Sequence, residues 1–90
     1  MRVLISAGLT ALTLGATLAP SYAATCQALW MERNTYYRRG AYCFKTPRAI
    51  SYFGNAGCRY DDENLVPLSA AVRQRIAEIV AQERIQGCSD

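Results

Sequence analysis

Leu29-Trp-Met-Glu-Arg-Asn-Thr-Tyr-Tyr-Arg-Arg-Gly40 is the stretch on which the fold turns. Leu29, Trp30, Arg33, Tyr36 and Tyr37 fall at i, i+1, i+4, i+7 and i+8, a single stripe at helical period. The spacing predicts a helix from about Gln27 to Arg39. Gly40 is the expected C-terminal cap, and Arg38 and Arg39 sit in the last turn, where the helix dipole favours cations. Arg33 lies inside the aromatic stripe, so it is expected to be largely buried, stacked between Trp30 and Tyr37 and paired with a carboxylate. Glu32 neighbours it on a different face, which leaves Asp61, Asp62 or Glu63 as the expected partner. Arg38 and Arg39 are expected to be exposed.

Two more helices follow downstream. After an extended piece containing Tyr42, Cys43 and Phe44, Thr46 and Pro47 form an N-cap and first-turn pair, opening a two-turn helix from Pro47 to about Phe53. Gly54, Asn55, Ala56 and Gly57 suit a tight turn that returns Cys58 toward Cys43. A loop from Arg59 to Leu68 carries the acidic run and Pro67. Ser69 then caps a third helix, with Val72, Ile76, Ile79 and Val80 on one apolar stripe and Gly87 closing it. The apolar stripe lacks Trp and Phe and the polar side is not uniformly basic, as fits a core-facing helix better than one lying on a membrane. The fold class is therefore all-α, a small three-helix domain stapled by disulfides.

The staples follow from the N-terminus. Met1 and Arg2 form a short positive region, Val3 to Leu18 is largely apolar, and Ser21, Tyr22 and Ala23 make a small-x-small cleavage site, so residues 1–23 read as a signal peptide. A retained helix fits poorly, because Gly8, Gly15 and Pro20 interrupt the stretch before a membrane-spanning length. A lipid anchor fits no better, since Cys26 follows Thr25. Residues 24–90 remain as the mature domain, periplasmic or secreted, with no stable membrane insertion after cleavage. All four cysteines, Cys26, Cys43, Cys58 and Cys88, lie in it, an even number in an oxidising compartment. There is no histidine and no C-x-x-C pair, so a zinc site is not indicated. Four cysteines permit three pairings. Their placement favours Cys43 with Cys58, around the short second helix, and Cys26 with Cys88, joining the start of the first helix to the end of the last.

Charge excludes some function classes. Of the ten Lys and Arg, Arg2 leaves with the signal, so nine stand against seven Asp and Glu, a mild excess of +2. Nucleic-acid binding, which calls for a strongly basic face, is not indicated. The cations nevertheless crowd the first half among tyrosines. Tyr37, Arg38, Arg39, Lys45, Arg48 and Arg59 are the candidate binding residues, with Tyr42 and Tyr60 as further flat faces. A core role accounts for the same tyrosines, because the first half has few aliphatic residues. For catalysis the chain lacks the commonest general base. Asp61, Asp62 and Glu63 form a short acidic turn, too short for a calcium loop, and would need a distant partner such as Glu32 or Glu83 for paired-carboxylate chemistry.

Arg33, Asn34, Thr35, Tyr36, Tyr37, Arg38, Arg39 and Gly40, then Phe44, Thr46, Pro47, Tyr52 and Phe53, and finally Leu68 and Ser69 opening a helix, together resemble the YARHG domain family. The likeness spans about Leu29 to Glu83. It implies a bacterial extracellular module of this size, found in exported proteins and lipoproteins and next to peptidase domains, with no established catalytic residues. Laid on the motif, Tyr37 takes the tyrosine, Arg38 the alanine, Arg39 the arginine, Gly40 the histidine and Ala41 the glycine. The glycine thus arrives one position early, and the histidine is missing. Val72 stands where the family's last helix usually carries an acid, which removes a capping-box partner for Ser69.

The resulting expectation is a non-catalytic exported module, with no cofactor and no metal, that binds a cell-envelope component or a partner protein. A secreted effector or peptidase inhibitor is the alternative from another class, and a small hydrolase a third.

Overall fold

The computed structural model describes residues 24–89; the segment read as an export signal and Asp90 lie outside them. Three α-helices make the domain: α1 over Cys26–Arg39, α2 over Pro47–Phe53 and α3 over Ala70–Gln86. No strand is present among the described residues. One isolated parallel bridge joins Tyr42 to Tyr60, and Cys43 N–H donates to the Tyr60 carbonyl at 2.8 Å. The expected loop after Cys58 contains a feature the sequence reading missed, a 3-10 turn over Glu63–Leu65 capped by the Asp62 side chain.

Each helix begins as its local chemistry dictates. The Thr46 and Ser69 side chains accept from the backbone N–H groups of Ala49 and Val72, the two N-caps read from the sequence. Thr25 does the same for Ala28, which starts α1 one residue earlier than expected. The helix pair α1 and α3 runs antiparallel. The disulfide of Cys26 with Cys88 ties one end, and Gly40 meets Val66 and Leu68 at the other. Cys43 is joined to Cys58, so both favoured pairings are present and no described cysteine is free.

Aromatic and aliphatic side chains share the core. Trp30, Tyr37, Tyr42 and Phe44 are buried together with Ala49, Val66 and Ile76. Tyr42 meets Phe44 edge to face at 5.3 Å, and Phe44 stacks on Phe53 at 5.2 Å, geometries that add to the gain from area alone. Asn55 binds the backbone of Phe44 through both ends of its amide, accepting from the N–H at 2.7 Å and donating to the carbonyl at 3.0 Å. A side chain thus replaces a strand neighbour and seats the turn beneath α2. Asn34, the buried polar residue, donates to the Trp30 carbonyl one turn back.

The end of α1 departs from expectation in an informative way. Ala41 N–H bonds to the Arg38 carbonyl and Tyr42 N–H to the Tyr37 carbonyl, the hydrogen-bond pair of a Schellman motif. The left-handed residue that motif needs is Ala41, at φ 68°, rather than Gly40. Gly40 has φ −83°, open to any residue. Its glycine is required by contact instead: a Cβ there would lie 2.3 Å from Val66 Cγ1, and Val66 is 1 % exposed. Helix α3 closes with the same motif and places a glycine, Gly87 at φ 69°, on the left-handed position.

This division of labour predicts opposite effects at adjacent positions. Gly40→Ala overpacks the Val66 site and is expected to destabilise by about 1–3 kcal/mol. Ala41→Gly relieves the left-handed strain, less the extra freedom glycine gives the unfolded chain, and is expected to stabilise by about 0.5–1 kcal/mol. Thermal melts of the two variants check both signs.

Candidate functional site

Two arginine–carboxylate pairs lace α1 to α3 and decide which charges remain available. Arg33 holds Glu83 with Nε to Oε1 at 2.9 Å and Nη2 to Oε2 at 3.0 Å, the side chains being 17 % and 12 % exposed. Arg75 holds Glu32 in the same forked way at 2.7 and 2.8 Å and reaches Glu78 at 3.4 Å. Arg33 is therefore largely buried and carboxylate-paired, as its place in the aromatic stripe predicts, but its partner comes from α3 and not from the acidic loop. The antiparallel pairing of the helices, invisible in the sequence, brings Glu83 across. Asp61 instead meets Lys45, whose Nζ donates to the Asp61 carbonyl at 2.6 Å and lies 3.7 Å from its carboxylate.

The Arg75 guanidinium is the main reason the Glu32 carboxyl is held down at about 2, helped by the Tyr36 hydroxyl that donates to it at 2.9 Å. The same contact pushes the Tyr36 phenol up. A depressed carboxyl stabilises the fold above its ordinary value of 4.5, and that contribution is lost as pH falls toward 2. The pair is more than a third exposed, so the effect is modest. Glu32→Gln is expected to lower the urea midpoint at pH 6, with the gap to the parent chain closing below pH 3.

The six candidate binding residues do not share one place. Tyr37 is a core residue, 7 % exposed, and burial pushes its phenol up; it offers no free ring face. Arg48 is exposed on α2, with its guanidinium carbon 3.9 Å from the centre of the Trp30 ring and a bond to Gln27. It belongs to the start of α1, about 18 Å along the helix from Arg39 at 1.5 Å per residue. Lys45 is exposed and bound to Asp61, as above. Arg38, Arg39 and Arg59 gather at the other end. Ala41 links them, its N–H donating to the Arg38 carbonyl and its own carbonyl accepting from Arg59 N–H at 2.7 Å. Arg39 and Arg59 are exposed, while Arg38 is half-buried rather than exposed as expected. Among the described residues none of the three meets a carboxylate within ion-pair distance.

Beside this basic end lies a cleft of about 240 Å³, lined by Tyr36, Arg39, Gly40, Pro67, Leu68, Ser69 and Val72. Of these, Arg39 alone is a binding candidate by sequence; Tyr36 falls in the helical stripe and Gly40 and Ser69 at helix ends, and nothing local distinguishes a contact glycine from a cap glycine. Glu32 and Glu83, the distant partners that paired-carboxylate chemistry with the acidic turn would need, are both engaged by arginines. Among the described residues no three His, Cys, Asp or Glu side chains gather as a metal site, and no helix is long and apolar enough to cross a membrane.

No curated protein and no solved structure matches the chain. One family model does, described as the YARHG domain, over residues 2–84, a longer span than the stretch from Leu29 to Glu83. With most of the chain matched, the chain belongs to the YARHG domain family.

Proposed function

We propose that the chain is exported, that residues 1–23 are removed as the signal, and that residues 24–90 act in the periplasm or outside the cell as a non-catalytic module binding an anionic component of the cell envelope. The observation that carries this reading is the fate of the cations. Arg33, Arg75 and Lys45 have carboxylate partners, whereas the backbone brings Arg38, Arg39 and Arg59 to one end with no carboxylate at ion-pair distance among the described residues. The dipole of α1 accounts for Arg38 and Arg39 in its last turn. It does not account for Arg59, which arrives by backbone pairing from the far side of the Cys43 to Cys58 loop. Like charges brought together at a surface raise the potential there and favour an anionic ligand.

Co-sedimentation of the oxidised protein with cell-envelope material tests the reading. Retention is expected to fall as salt shortens the screening length from about 10 Å at 0.1 M to about 3 Å at 1 M. The triple variant Arg38→Gln, Arg39→Gln, Arg59→Gln is expected to lose retention several-fold and to show a flatter salt response, while Arg48→Gln behaves as the parent chain. Equal retention of parent and triple variant removes the basic end as the binding surface.

A further inference from the structure

The cleft beside the basic end narrows the class of ligand. Gly40, Pro67, Leu68 and Val72 make its wall apolar, and Arg39 brings the cation. Two further polar groups line it: the Ser69 hydroxyl accepts from Val72 N–H at 3.1 Å, and the Tyr36 hydroxyl donates to Glu32. Among the described residues no carboxylate lines the cleft. Val72 occupies the third position of α3, where a capping box would set Glu or Gln. An acid there would share the wall with Arg39 and compete for it. Valine keeps that wall apolar and the guanidinium available.

One guanidinium over an apolar wall selects a group with a single negative charge and aliphatic flesh beside it. A planar carboxylate accepts two parallel N–H bonds from arginine, and methyl groups next to it gain by leaving water. A compact phosphate has no apolar surface for the wall to cover. The volume of about 240 Å³ equals the share of about eight waters, room for one or two small residues and below the usual range for a larger ligand. Taking the basic end as the binding surface, we propose that this cleft holds the free carboxyl end of a peptide of small aliphatic residues. Arg39 receives the carboxylate, and Pro67, Leu68 and Val72 cover the side-chain methyls.

Tri-alanine with a free carboxyl end is the probe, titrated into the oxidised protein and followed by amide chemical shifts. Saturable shifts at Arg39, Gly40 and the stretch from Leu68 to Val72 are expected. Arg39→Gln is expected to weaken binding at least tenfold, and so is amidation of the peptide end. Val72→Gln and Val72→Glu form a matched pair: both supply a capping-box partner for Ser69, yet the glutamate alone places a negative charge in the cleft. Val72→Glu is expected to bind at least tenfold more weakly than Val72→Gln, with melting points recorded to show that both fold. Equal binding of the amidated peptide, equal binding by the two Val72 variants, or displacement by inorganic phosphate at matched concentration overturns the assignment. Loss of envelope retention in the triple arginine variant without any tri-alanine binding overturns the cleft proposal while sparing the wider reading. Tri-alanine binding with unchanged retention supports the cleft and removes the envelope ligand.

Discussion

Reduction of both disulfides is expected to unfold the domain in otherwise native buffer. The bond of Cys26 with Cys88 spans 62 residues and that of Cys43 with Cys58 spans 15. On the chain-entropy account such cross-links contribute about 4 and about 3 kcal/mol, by limiting the unfolded ensemble. A domain of this size buries only about 60 % of its unfolded surface, and its whole net stability is about 5 kcal/mol. The two bonds are therefore as large as the margin they support. The longer one has a further role, because it fixes the open end of the antiparallel helix pair while Gly40 and Val66 close the other. Circular dichroism melts with and without reductant check the expectation: loss of helix at 25 °C in reductant agrees with it, and an unchanged midpoint shows a core that suffices alone.

The second large effect is expected at Glu83. Glu83→Ala takes from the Arg33 guanidinium, 17 % exposed, the carboxylate it grips through two hydrogen bonds at the α1 and α3 seam. Removing one member of a fully buried pair costs about 3 kcal/mol; this pair is part-buried, so a loss of about 1–3 kcal/mol is expected. Replacing both members by apolar residues of similar size, Arg33→Met with Glu83→Leu, is expected to restore most of the loss, because the desolvation of the charges disappears with them. Denaturant titrations of the single and double variants measure the difference. A single variant within about 0.5 kcal/mol of the parent chain places the pair with ordinary surface ion pairs.

The elements of this fold were legible because they depend on neighbours in sequence. Thr46 before Pro47, Ser69 before an apolar stripe and Gly87 after it are short-range signals, and each marks a helix end in the structure. The burial of Arg33 was legible for the same reason, through its place in the stripe. Its partner was not, since Glu83 lies 50 residues away and only the helix pairing selects it over the acidic loop. The exchange of roles between Gly40 and Ala41 was hidden similarly. A glycine at a helix end serves either a left-handed turn or a close contact, and the contact here is with Val66 from a distant loop. The aromatic residues divided between core and surface by their tertiary neighbours: Tyr37 and Tyr42 went inside, while Tyr52 stayed 57 % exposed. The basic residues form one set in the sequence, but three-dimensional placement splits it, keeping Arg38, Arg39 and Arg59 together and sending Arg48 to the opposite end of α1.

Chemical-shift mapping of the oxidised, isotope-labelled protein with solubilised envelope fragments tests the central claim most directly. The basic end predicts salt-sensitive shifts concentrated from Tyr36 to Ala41, at Arg59 and from Pro67 to Val72. Shifts concentrated on α2 around Arg48, Ile50 and Tyr52, or shifts there that persist in high salt, contradict it and assign binding to the exposed face of the short helix.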